Sequence, residues 1–96
     1  MYFFHPAAEI EHLEIIAYYE TKSPGLGAQY LVEFEGYMEK ICESPDMPLK
    51  LSGTDLHQQV MFKFPFTILY REAFRSVQVL GVAHQRRRPN YWLGRL

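Results

Sequence analysis

A single cysteine, Cys42, leaves this 96-residue sequence without any internal disulfide framework and without a cysteine-built zinc site. Apolar runs are far too short to span a bilayer, so no membrane association is expected. The opening MYFFHPAAEIEH has no basic start and turns acidic at once, unlike a signal peptide, and a cytoplasmic location is the simplest reading. Glycine-rich phosphate loops are missing: GLG at 25–27 follows a proline and reads as a helix start, not as GxGxxG. No HExxH occurs, and the four histidines (His5, His12, His57, His84) are too scattered to define a metal site. Neither a metal nor any other cofactor is expected, and repeats, low-complexity tracts and linkers are missing as well.

What is present is a core-forming composition. The chain is 48% hydrophobic and 16% aromatic with 22% charged residues, which bounds it to one domain, residues 1–96, with a real core. The net charge of −1 conceals a division. Residues 1–48 carry two basic side chains (Lys22, Lys40) against nine acidic ones, whereas residues 49–96 carry eight basic side chains against Asp55 and Glu72. Such asymmetry suits a polyanion or an acidic partner for the second half, or else two halves packed together with their charges on opposite faces.

Residues 2–4, YFF, read as a short strand. Pro6 suits the first position of a helix, where its missing N–H is not needed, and Glu9 and Glu11 favour the positive end of the helix dipole. Ile10, Leu13, Ile16 and Ala17 recur at helical spacing, predicting an amphipathic helix from 6 to about 22. Ser23 and Pro24 read as N-cap and first residue of a second helix, whose apolar stripe is Leu31, Phe34, Met38 and Ile41 and which Pro45 and Pro48 end. Cys42 falls at the edge of that stripe and reads as structural. From residue 57 the period becomes two: Val60, Phe62 and Phe64 alternate with Met61 and Lys63, and Pro65 marks a bend. FTILYRE continues as a strand, EAFRS (72–76) as a hairpin turn, and SVQVLGVAH as a central strand, apolar on one face through Val77 and Val79 and on the other through Leu80 and Val82. Gly81 inside it allows a neighbouring group to approach closely. The expected fold is α+β, with an N-terminal strand and a helical hairpin packed on a small antiparallel sheet.

The chemistry concentrates in the basic half. His84, Arg86, Arg87 and Arg88 leave the last strand together, followed by Pro89, Tyr91 and Trp92, while Lys63 and Arg71 lie on the preceding strands. Guanidinium forks match phosphate oxygens, and tyrosine and tryptophan rings stack on exposed bases. Arg71, Arg86, Arg87 and Arg88 therefore form a candidate partner- or nucleic-acid-binding surface. The same set allows metal-free RNA cleavage, with Tyr91, His84 and Lys63 as proton movers and the arginines stabilising the phosphorane; a positioned acid or base contributes about 10² to 10⁴ in rate. The competing reading makes Trp92 an anchor for the C-terminal segment, shaped by Pro89 and Tyr91, with Arg87 or Arg88 pairing with the acidic helices.

FHPAAEIEHLEIIAYYE, SPGLGAQYLVEFE, FPFTILYRE and VQVLGVAHQRRRPNYWLGR, taken in that order, resemble the RelE/ParE superfamily of type II toxin–antitoxin toxins, in its plasmid-stabilisation branch. The resemblance implies a helical hairpin on a small antiparallel sheet and a toxin neutralised by a cognate antitoxin, as a homodimer or a toxin–antitoxin hetero-oligomer. RelE-like members cut mRNA on the ribosome without metal; ParE-like members inhibit DNA gyrase and lack that catalytic set. Under the nuclease reading Tyr91, Arg87, Lys63 and His84 are the catalytic candidates. Related sequences usually carry two arginines where this one has Gln58 and Gln59, and only Lys63 keeps a positive charge there. The Tyr-Trp ending brings the chain nearer the ParE-like side, while the departure at Gln58 and Gln59 weakens the nuclease case and leaves a non-toxic antitoxin-binding or regulatory module as a further alternative.

Overall fold

The computed structural model describes residues 1–45, 55–86, 91 and 93–95. Strand β1 (Tyr2–Phe4) leads into helices α1 (Pro6–Lys22) and α2 (Leu26–Glu43), then strands β2 (His57–Val60), β3 (Phe66–Ala73) and β4 (Ser76–His84), and a closing 3₁₀ turn (Leu93–Arg95). The sheet order is β1-β4-β3-β2. Strands β2, β3 and β4 form the antiparallel meander expected, while β1 joins the far edge of β4 in parallel, so the four-stranded sheet is mixed. Both helices cover one face. No helix among the described residues is long and apolar enough to cross a membrane.

Helix α1 begins as its sequence predicts, with Pro6 in the first turn and the His5 side chain accepting the Ala7 N–H. The buried stripe differs. Ile10 and Leu13 stand more than half exposed and Ala17 is exposed, whereas Ala8 and His12 are buried and Ile15, Ile16 and Tyr19 pack on the core. The inward face is turned by about one residue, roughly 100°. Hydropathy misjudged it because the polar member is satisfied: His12 Nδ1 pairs with the Tyr30 hydroxyl at 3.1 Å, and its ring stacks on Phe4 at 5.0 Å.

The junction between the helices is also a correction. Ser23 closes α1, its N–H bonded to the Tyr19 carbonyl, and the N-cap of α2 is Gly25, in the left-handed region at φ 86°. The Glu20 carboxylate supplies the acceptors that a serine cap was expected to provide, taking the N–H groups of Gly25 and Gly27 at 3.2 and 2.8 Å. Along α2, Phe34, Met38 and Ile41 are buried as their spacing predicts, with Tyr30 rather than Leu31 completing the stripe. Tyr30 and Phe34 are fully buried among Phe4, Tyr19, Phe64 and Phe66, an aromatic centre that each ring stabilises through large apolar area and edge contacts.

Strand β2 stops at Val60, before the alternation assigned to 60–64. Met61 turns inward at 1% exposure and Phe62 outward at 83%, while Phe64 returns to the core. Pro65 offers no N–H to a ladder, so the chain bends, and Met61 N–H to Phe66 O (2.9 Å) closes the bend. A bulge then shapes β4: Leu69 pairs with Gly81 but Tyr70 with Val79, which leaves Leu80 without a partner residue. The extra residue resets the alternation. Val77, Val79 and Val82 all face the helices, and Leu80 packs with Leu56 and Leu69 on the other side, so Val82 changes face from the sequence expectation. The β3–β4 connection is a two-residue turn, Phe74-Arg75, with both residues at positive φ (54° and 59°). A turn of that hand normally carries Asn-Gly, and each L-residue held there costs about 1–2 kcal/mol.

Candidate functional site

The meeting of α1, β4 and the C-terminal turn is the most elaborated polar locus among the described residues. Strand β1 covers β4 only from Val77 to Val79, and the His5 N–H closes the pairing on the Val79 carbonyl. Beyond that point the β4 edge needs other partners for its backbone groups. Glu11, from the second turn of α1, accepts the Val82 N–H on Oε1 at 3.2 Å. Arg95 donates to the bulged Leu80 carbonyl at 2.9 Å and grips the Glu11 carboxylate with both terminal nitrogens, each at 2.9 Å. The Tyr91 hydroxyl donates to Glu11 Oε1 at 3.2 Å, and the Arg95 guanidinium lies 4.8 Å from the Tyr91 ring centre. Both charged side chains keep only about 15% of their exposure, and the hydrogen bonding that Arg95 donates to Glu11 raises the Arg95 pKa above its ordinary value.

Gly81 makes the arrangement sterically accessible, as its sequence context predicts. A Cβ at this position would lie 2.8 Å from the Tyr91 hydroxyl and 3.3 Å from Arg95 Nη1. Glu11 and Arg95 themselves escaped sequence reasoning, which read Glu11 as a dipole partner and Arg95 only as a charge. Their signal was the glycine in a strand otherwise apolar on both faces.

The other candidates occupy different surroundings. Lys63 lies in the bend after β2, 75% exposed, and pairs with Glu33 of α2 at 3.3 Å. It borders an open groove of about 610 Å³ beside Leu26, Val32 and Phe64. His84, at the exposed end of β4, accepts the Arg86 N–H on Nδ1 at 3.1 Å and stands edge-on to Phe66. It borders a second groove, about 540 Å³, walled by Ile15, Tyr19 and Val82 and rimmed by Glu14. Arg71 projects from the helix-free face of the sheet, where its Nε donates to Gln78 at 3.0 Å, and Arg86 is exposed. Gln58 and Gln59 sit on edge strand β2, paired with Leu69 and Ile68. Arg87, Arg88, Pro89 and the Trp92 anchor lie outside the described residues. Lys63, His84 and Tyr91 are thus each engaged by a different group: a carboxylate of α2, a main-chain N–H, and a carboxylate of α1. Among the described residues no group of three or more His, Cys, Asp or Glu side chains is placed to hold a metal.

Neither a protein-family model nor a curated protein matches this sequence. Among solved structures, a chain described as "Chromosomal ParDE TA system from P. aeruginosa" superposes with a TM-score of 0.72, covering 86% of this chain and 92% of that one at 10% identity. The shared property is the fold. Two helices on one face of a small four-stranded sheet agree with the RelE/ParE-like fold that the sequence resemblance implied, with the sheet mixed rather than wholly antiparallel.

Proposed function

We propose that this chain is the toxin component of a type II toxin–antitoxin module, that it inhibits growth through DNA gyrase, and that a cognate antitoxin with an acidic segment neutralises it. The likeness in fold to a ParDE chain supports the module, and the charge division supports an acidic partner for Arg71, Arg86, Arg87 and Arg88. The observation that carries the choice of mechanism is the engagement of the Tyr91 hydroxyl with Glu11. A phenol donating to a shielded carboxylate, itself held by Arg95, serves to fasten the tail. A proton mover must instead face the ribose or the leaving oxygen within hydrogen-bond reach. Gln58 and Gln59 in place of cations, with Lys63 the one positive charge kept there, leave the phosphate-stabilising set thin.

The test is to express the chain with and without the antitoxin, then assay plasmid supercoiling and map mRNA ends in the same cells. Trapped gyrase–DNA complexes with intact mRNA are expected. Codon-spaced mRNA cuts that disappear in Tyr91→Phe and Arg87→Ala would replace this reading with the RelE-like nuclease. Absence of any growth defect, with antitoxin binding retained, would replace it with a regulatory module.

A further inference from the structure

The β3–β4 turn places its two most demanding residues where the fold gains least from them. Phe74 and Arg75 both adopt the left-handed region, which glycine and asparagine occupy far more readily. Phe74 is 90% exposed, and its ring contact among the described residues is with the Phe3 ring at 6.4 Å. Arg75 is exposed and makes no ion pair among the described residues. A sequence chosen for stability alone would place Asn-Gly here.

The surroundings extend the tip into a surface. Phe3, Gln78 and Arg71 are aligned in register across β1, β4 and β3 on the helix-free face, so two aromatic rings and two guanidinium groups occupy one end of the sheet. Aromatic and arginine side chains dominate binding hot spots, and the fixed φ values hold the knob in one shape before it meets a partner. Glu72 pairs with Val77 on the helix-bearing face, so the helix-free end of the sheet is positive around its aromatic rings and complements an acidic rim about an apolar contact. We infer that the Phe74-Arg75 turn is a preformed knob that inserts into an apolar pocket with an acidic rim on the protein that this chain inhibits. The inference rests on the toxin reading and assigns a contact surface within it.

The experiment expresses the wild type, the double variant Phe74→Asn/Arg75→Gly, and the single variants Phe74→Asn and Arg75→Asn in a bacterial host without antitoxin, and melts the purified proteins. The double variant is expected to melt about 5 °C or more above the wild type, since turn strain is relieved. It is also expected to need about 30-fold more protein for the same growth arrest, the loss typical of removing a hot-spot aromatic. Phe74→Asn alone should account for most of that loss. A more stable double variant that arrests growth as well as the wild type overturns the knob while leaving the toxin reading intact. Loss confined to Arg75→Asn overturns it in favour of a phosphate contact on nucleic acid. A wild type that never arrests growth removes the toxin reading and the knob with it.

Discussion

Replacing Glu11 by alanine tests whether the tail is fastened as described. Four hydrogen bonds converge on this carboxylate: two from Arg95, one from Tyr91 and one from the Val82 N–H. A hydrogen bond to a charged group contributes about 1.5–3 kcal/mol net, but bonds sharing one acceptor are not additive. The stranded guanidinium keeps the Leu80 carbonyl and some solvent, so the penalty falls toward the lower end of the range for breaking a buried pair, about 3 kcal/mol. In a domain of this size each kcal/mol lowers Tm by about 4–8 °C, so a fall of roughly 12–24 °C is predicted. The assay is thermal unfolding followed by circular dichroism for Glu11→Ala, Arg95→Ala and the double variant, as a double-mutant cycle. Coupling of about 2 kcal/mol is expected, and it should change little between low and high salt because the pair is shielded. Coupling below about 0.5 kcal/mol, the scale of an exposed pair, would refute the reasoning.

Three further perturbations probe the same structure. His12, whose burial lowers its pKa to about 4 from 6.5, is neutral in the fold, so stability present above pH 6.5 should decline as pH falls toward 4. Urea midpoints across that range should slope downward, and the slope should flatten in His12→Gln; an unchanged slope would place the titration elsewhere. Gly81→Ala should drive Tyr91 and Arg95 off β4, destabilise the fold by about 1–3 kcal/mol and speed hydrogen exchange at the Val82 amide. A protected amide would show that the tail shifts without release. Phe34→Ala, which empties the fully buried centre of the aromatic cluster, should cost about 3–5 kcal/mol in denaturant unfolding, and a loss under about 1 kcal/mol would mean that the core collapses around the gap.

Element order and type were legible because each rests on local chemistry. Pro6 opens α1, the period changes at residue 57, and the turn falls inside the 72–76 stretch read for it, narrowed to Phe74-Arg75 because 72, 73 and 76 pair in the ladder. Errors arose where a local rule met a distant partner. Serine at 23 is a good cap, but Glu20, one turn earlier on α1, reaches the α2 terminus first. Ile10 and Leu13 suggest the buried face of α1, but Tyr30 makes a histidine acceptable inside and rotates the helix. The phase of β4 resets at a bulge for which the sequence offered only Gly81 as a clue. Site legibility followed the same division. The residue types at the C-terminal end were visible, but the hydrogen bond that the Tyr91 hydroxyl donates to Glu11, eighty positions earlier, was not.

The charge division acquires a more limited meaning from these contacts. The basic half contributes Arg95 to Glu11 and Lys63 to Glu33, so part of the asymmetry is spent internally, holding the C-terminal turn and the bend after β2 against the two acidic helices. Arg71, Arg75 and Arg86 make no ion pair among the described residues, and Arg71 and Arg75 lie toward the end of the sheet that carries the strained turn. Two populations of cations therefore exist, and they should respond differently to the same substitution. Neutralising the shielded Arg95 should lower stability most, and neutralising Lys63, 75% exposed beside Glu33, by no more than the fraction of a kcal/mol of a surface pair. Arg75→Gln or Arg86→Gln should leave the melting temperature within about 4 °C, because exposed surface changes alter stability by under about 0.5 kcal/mol, and should weaken only association with an acidic partner. If all four substitutions shifted melting alike, the free cations would belong to the fold, and the division of charge would carry no information about a partner.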